Sequence, residues 1–153
     1  MAETETTEWQ QTLAELDGLE TEYEDEGWTT VTIQAGHTGI RLPAETELED
    51  PELVYTVPSD SADKLHAAFD TGEFTQFTVY LDETRSPRYH VLELADPDRS
   101  LVVLIAGAVG QDQINRFNQT AQKIIGIYTR FRRLNGTAVG LFRHDDPGVF
   151  FPE

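Results

Sequence analysis

Apolar residues recur at helical spacing between Thr7 and Glu26, where Trp9, Leu13, Leu16, Leu19 and Tyr23 form one stripe and Glu and Asp fill most other positions. The spacing predicts an acidic amphipathic helix over 7–26, stopped by Gly27 and preceded by a disordered 1–6. The period then changes. In "WTTVTIQAG" (28–36) Val31, Ile33 and Ala35 alternate with Thr30, Thr32 and Gln34, the mark of a half-buried strand. A short extended piece at 39–42, an acidic loop at 43–52 and a strand at 53–58 follow.

"SDSADKLHAAFDTG" (59–72) reads as a helix with Ser59 and Asp60 as cap candidates and Gly72 as its stop. Strands are predicted at 74–82, 88–96 and 100–108. Asp96-Pro97-Asp98-Arg99 suits a type I turn, which makes the last two antiparallel neighbours. Because 100–108 is apolar on both faces, it is expected in the middle of its sheet. Asp112 is a cap candidate for a helix reaching the mid-120s, and a hairpin closes the series around Asn135-Gly136.

This order predicts one α+β domain over 1–153, an antiparallel sheet of about five to seven strands flanked by three helices. Its first eight elements are similar to roadblock and profilin-like folds in their order alone.

"LVVLIAGAVGQDQ" (101–113) has the outline of a phosphate-binding strand-loop-helix. Gly107 and Gly110 supply only G-x-x-G, however, and neither the third glycine of a dinucleotide site nor a Lys-Ser or Lys-Thr pair is present. Asp112 would repel an anion from the helix start. The small residues Ala106, Gly107 and Ala108 predict close approach by a packed helix or a partner.

Counting outward from a two-residue Asn135-Gly136 turn places Ile127, Thr129, Phe131, Ala138, Gly140 and Phe142 on one face of the hairpin, the core side. The other face carries Tyr128, Arg130, Arg132, Val139, Leu141 and Arg143, with Tyr128 opposite Arg143. Three guanidiniums among an aromatic ring and two aliphatics make this the candidate interaction or anion-binding surface. The competing expectation is that these arginines pair with acidic residues of the same chain, the 7–26 helix among them.

Charge sharpens that choice. The chain has 28 Asp plus Glu against 11 Lys plus Arg, a net charge of -17. Residues 1–60 hold 16 acids and the single base Arg41, whereas 111–153 hold 4 acids and 6 bases. Acid excess with only Lys64 and Lys123 for lysine fits a protein hydrated in concentrated salt, where the Debye length falls to about 3 Å. Habitat explains the acidic part of the chain and not its slightly basic end.

Several chemistries are disfavoured. Without cysteine there is no disulfide, thiolate nucleophile or thiolate metal site. His144, Asp145 and Asp146 are consecutive, a poor arrangement for one ion. His90 and Glu93 have odd spacing on a strand and point to opposite faces. Ser59, Ser61, Ser86 and Ser100 match no nucleophile motif. No catalytic residue, metal site or cofactor is expected. Nucleic-acid modules and their lysine-rich stripes are missing, and no run is long and apolar enough for a membrane span or signal peptide, so a cytoplasmic protein is expected.

The stretches "EYEDEGWTTVTIQAGHT" (22–38), "ELADPDRSLVVLIAGA" (93–108) and "YTRFRRLNGTAVGLFRHDDPGVFFP" (128–152) resemble a small haloarchaeal family of unknown function. The likeness is most specific in the closing L-x-G-T-x-V-G-x-F-x-H-D-D-P-x-x-F-F-P and departs at Arg130, Phe131 and Arg132. It implies an intracellular protein of extreme halophiles, assigns no activity, and makes Asp145–Pro152 a structured cap whose Phe150 and Phe151 dock in the core.

The expected function is therefore a non-enzymatic protein-interaction or adaptor domain, working as a homodimer or with another protein. The alternative is a small-ligand or anion sensor that uses the Gly107–Gly110 loop together with the arginine face.

Overall fold

The computed structural model describes residues 2–41, 52–81, 88–120 and 127–144. Its elements follow the expected order: α1 (Ala2–Asp25), β1 (Thr29–Gln34), β2 (His37–Arg41), β3 (Glu52–Val57), α2 (Ser59–Thr71), β4 (Gln76–Leu81), β5 (Arg88–Asp96), β6 (Leu101–Val109), α3 (Gln111–Thr120), β7 (Ile127–Arg133) and β8 (Ala138–His144). The helix α1 begins ahead of Thr7, at Ala2. The class is α+β.

The strands form two mixed four-stranded sheets, in the orders β1-β6-β5-β4 and β2-β3-β7-β8, which corrects the expected single antiparallel sheet. Two pairs are parallel, β1 with β6 and β3 with β7. The division arises where β1 gives way to β2. The Ala35 N–H donates to Ala106 O in the first sheet, and the next N–H, of Gly36, donates to Thr56 O in the second. One residue step thus carries the chain from sheet to sheet.

In the first sheet, β6 lies between β1 and β5 and is buried on both faces, as its unbroken apolar run requires. Its even positions Val102, Leu104 and Ala106 meet α1, together with Val91 and Ala95 of β5. The odd positions Leu101, Val103, Ile105 and Val109 face the second sheet, where Leu53, Tyr55, Val57, Ile127 and Phe131 complete the main core. The layers run α1, first sheet, second sheet. Helix α2 packs against β1 and β8, and α3 reaches β2, where the Ile40 N–H donates to Gln113 Oε1 at 2.5 Å.

The stripe of α1 is consumed by its own sheet: Leu16 is fully buried, with Trp9, Leu13, Leu19 and Tyr23 partly so. A buried Leu contributes roughly 1.5–3 kcal/mol. The helix stops as a left-handed cap should, with Gly27 at φ 86. The Trp28 N–H donates to Tyr23 O and the Gly27 N–H to Glu24 O, while the Trp28 and Tyr23 rings pack at 4.8 Å. The polar side of β1 is roofed by α1, and the Thr32 hydroxyl donates to Glu20 Oε2.

Cap assignments for the other helices shift by one or two residues. Pro58 occupies the N-cap of α2 without a side-chain bond, so Ser59 and Asp60 lie in its first turn. Gly72 caps its end, donating to Ala68 O. Asp112 lies in the first turn of α3 rather than at its cap, because the Ile114 N–H already reaches Gly110 O. The 96–99 turn is present, with the Arg99 N–H donating to Asp96 O at 3.3 Å. The proposed cap at 145–152 lies outside the described residues.

The two sheets approach closely at Gly107. A Cβ there would lie 2.6 Å from Thr38 Oγ1 and 2.9 Å from the Tyr55 ring, separations that real side chains do not show. Close approach was expected at this point; a strand of the second sheet makes it, while Ala106 meets α1. Gly107→Ala is expected to lower unfolding free energy by about 1–3 kcal/mol through overpacking. Urea unfolding measures this, and an unchanged midpoint would contradict the packing.

Candidate functional site

The hairpin β7–β8 holds the residues singled out as a candidate surface, and its turn differs from expectation. Arg133 N–H donates to Thr137 O, and Gly136 N–H to Arg133 O, closing a three-residue loop of Leu134, Asn135 and Gly136. Gly136 takes φ 90, while Asn135 is absent from the positive-φ residues, so the two-residue mirror-image turn is excluded. The Asn135 side chain instead accepts from the Thr137 N–H at 3.0 Å.

This loop shifts the register by one, and a bulge restores it. Arg132 faces Ala138, whereas Phe131 faces Gly140, so Val139 is the extra residue on β8. Beyond the bulge the pairs are those counted from the sequence: Arg130 with Leu141, Thr129 with Phe142 and Tyr128 with Arg143. Ala138 and Val139 are the exceptions to the expected faces: Ala138, expected on the core side, is exposed beside Arg132. Val139 is the reverse case. It is buried in the main core rather than displayed beside the arginines, because the bulged residue leaves the alternation.

Tyr128, Arg130, Arg132 and Leu141 lie on the outer face of the second sheet, half-buried except for the exposed Leu141, and the β3 residues Glu52, Val54 and Thr56 between β2 and β7 on that face are buried. The parallel pairing of β3 with β7 sets Glu52, Val54 and Thr56 beside Tyr128, Arg130 and Arg132. Arg130 Nε donates to Glu52 Oε2 at 2.5 Å, and Arg41 Nη1 lies 3.7 Å from Glu52 Oε1. Glu52 is only 1% exposed, whereas Arg130 and Arg41 keep 28% and 44% of their side-chain surface. Arg132 Nε donates to the Thr56 hydroxyl at 3.3 Å, and Arg133 pairs with Asp63 of α2 at 2.8 Å. Leu141, 44% exposed, stands opposite Arg130.

Of these arginines, Arg130 pairs with an acid of the same chain, Glu52, while Arg132 donates to Thr56 and the Asp63 pair belongs to Arg133, outside the expected set; the acidic α1 is on the far side of the first sheet. Glu52 and Arg41 were not among the residues expected here. Their membership follows from the strand pairs β2–β3 and β3–β7, and the latter joins positions some seventy residues apart. No local signal carries it.

One carboxylate shared by two guanidiniums leaves the cluster positive. The four strands of the second sheet contain Arg41, Arg130, Arg132, Arg133 and Arg143 against Glu52, five less one, or +4 in a chain of -17. Helix α1, on the opposite side of the first sheet, contains nine acids and no base. Among the described residues, α1 and the strands of the second sheet therefore carry opposite net charge.

The other candidates do not assemble with this surface. Gly107 is filled by Tyr55 and Thr38 within the core, on the opposite face of the second sheet from the arginines, so the structure does not join the Gly107–Gly110 loop to them. His90 and Glu93 do diverge. His90 Nε2 lies 2.6 Å from Tyr55 Oη between the sheets, and Glu93 accepts from Tyr80 Oη under α1. Burial pushes the Tyr55 phenol well above its ordinary range. Burial, and then Glu93, raise Tyr23 and Tyr80 likewise. Asp96 is held below the usual carboxylate range, first by the Glu73 N–H and then by Arg99.

A groove of about 360 Å³ lies where α1 meets the sheet crossover, lined by Trp9, Tyr89, Ala35, Gly36, Thr38 and Ala108. Its lining is uncharged, and the Trp9 and Tyr89 rings are 5.7 Å apart. Among the described residues no three His, Asp or Glu side chains converge to hold a metal.

The Glu52 cluster makes an asymmetric prediction. Arg130→Met leaves a buried carboxylate with one distant partner, and is expected to cost about 3 kcal/mol. Adding Glu52→Leu should recover most of that loss, because the orphaned charge goes with it. Denaturant unfolding of the single and double variants checks this; a double variant no better than Arg130→Met would contradict the pairing.

Among the described residues no helix is long and apolar enough to cross a membrane. No curated protein and no solved structure matches the chain. A family model does match, described as a family of unknown function (DUF7529), over residues 1–152. By that match over nearly its whole length, the chain belongs to this family of unknown function.

Proposed function

We propose that this chain is a non-enzymatic interaction domain whose working surface is the outer face of the sheet β2-β3-β7-β8, and whose partner surface is acidic protein. The observation that supports this most is charge segregation: +4 on these strands within a chain of -17. Tyr128, Arg130, Arg132, Leu141 and Arg143 are the proposed contact positions. Leu141 adds apolar area beside the guanidiniums, the combination of Arg, aromatic and aliphatic groups that binding surfaces favour.

The acid excess elsewhere fits a cytoplasmic protein of a halophilic cell. In concentrated salt long-range attraction is extinguished, so only pairs brought into contact and shielded by neighbours such as Leu141 retain strength. A patch that mixes apolar and cationic groups suits those conditions better than a purely charged one.

A second reading has one observation in its favour, the uncharged groove between Trp9 and Tyr89. It would take a small flat neutral ligand. Quenching of Trp9 fluorescence in a Trp28→Phe background, on titration with neutral aromatic compounds, tests it.

The leading reading is tested by titrating an oligoglutamate peptide into isotopically labelled protein and following amide shifts. Shifts should centre on Tyr128, Arg130, Arg132 and Leu141, and Arg132→Glu should weaken binding about tenfold or more, some 1.4 kcal/mol. Shifts confined to other elements, or affinity untouched by Arg132→Glu, would sink this reading.

A further inference from the structure

We infer that the acidic surface this face takes is helix α1 of a second copy of the same chain, docked head to tail. The inference rests on the reading of the arginine face as a protein-binding surface and adds the identity of its partner. Its basis is the placement of two complementary faces within one molecule.

The outward side of α1 is built for such contact. Leu13, Leu16, Leu19 and Tyr23 turn to the first sheet, which leaves Ala14, Asp17, Gly18, Thr21, Glu24 and Asp25 exposed on the opposite side. Small side chains at Ala14, Gly18 and Thr21 keep the ridge low, and a helix without projections can lie close to a sheet face. Asp17 and Glu24 stand one heptad apart beside that ridge, with Glu15 and Glu22 flanking it, all exposed. The helix offers no base to weaken them.

Opposite it in charge is the face carrying Arg41, Arg130 and Arg132, where Glu52 is the single acid on the four strands. Both sheets lie between the two faces, so they cannot meet within one chain. Between copies they can, and because the contact joins different surfaces it repeats, giving a closed ring or an open row rather than a two-fold dimer. Copies of charge -17 repel one another at long range. Screening removes that repulsion while contact pairs partly survive, so association is expected to strengthen as salt rises from low values.

The test uses the full chain in two variants, one with Asp17→Lys and Glu24→Lys on the helix, the other with Arg132→Glu and Leu141→Glu on the sheet. Circular dichroism confirms folding, and Leu141→Glu alone serves if the sheet variant is unstable. Sedimentation is followed at about 0.5 M salt, where the Debye length is roughly 4 Å, and up to about 1 mM protein. The wild-type chain should self-associate, each variant alone should remain monomeric, and their equimolar mixture should associate again, since each supplies the face the other has lost.

A monomeric wild-type chain, a variant that associates alone as the wild type does, or a mixture that stays monomeric would each overturn the inference. If the wild type is monomeric while oligoglutamate still binds the arginine face, only the identity of the partner falls. If oligoglutamate also fails to bind, the binding reading falls with it. An oligonucleotide that binds the face of a monomeric wild-type chain overturns the inference in favour of a nucleic acid.

Discussion

The phenol of Tyr55 crosses from the second sheet to the first over the bare backbone of Gly107 and meets His90 Nε2 at 2.6 Å. Most of the architecture depends on that approach. It fixes how closely the sheets pack, and it pins β3 above β5 and β6 through a polar contact in a largely apolar layer. A buried hydroxyl and imidazole left apart would each forfeit a partner at about 1–3 kcal/mol, so the alternatives in sheet alignment are penalised. Phe131 stacks on the same Tyr55 ring at 5.5 Å, carrying the constraint on to β7.

Once the two inner faces are committed to each other, the outer faces are left to opposite tasks. That of the first sheet is closed by α1, which spends its apolar stripe there and turns its carboxylates outward. That of the second carries Arg41, Arg130 and Arg132 around Glu52, with Leu141 beside them. Among the described residues, the charge imbalance visible along the chain, acidic at the start and slightly basic at the end, becomes a difference between α1 and the strands of the second sheet. The protein-contact reading rests on this difference.

Much of this was legible in the residues. Periodicity located every described element, because the alternation in 28–36 and the helical stripe in α1 are set by burial on one face. The two-sided burial of β6 follows from its unbroken apolar run, and the 96–99 turn identified β5 as its neighbour. The hairpin faces held from Ile127 to Phe131 because two local irregularities, a three-residue loop and the bulge at Val139, cancel in the register. The same bulge is why the expected faces of Ala138 and Val139 are exchanged. Side-chain alternation presumes an unbroken ladder, and nothing in "TAVGLF" announces the break. The second sheet was not legible either, since parallel pairs such as β3 with β7 leave no turn signature and join distant segments. Glu52, the centre of the candidate surface, was hidden for that reason.

The dependence of the fold on the inter-sheet contact is most directly tested by a double-mutant cycle on Tyr55→Phe and His90→Phe, read by denaturant unfolding at neutral pH. If the pair registers the sheets, the two losses should fall short of adding, with a coupling energy above about 1 kcal/mol. Losses that add to within about 0.3–0.5 kcal/mol would show two independent side chains and contradict that role.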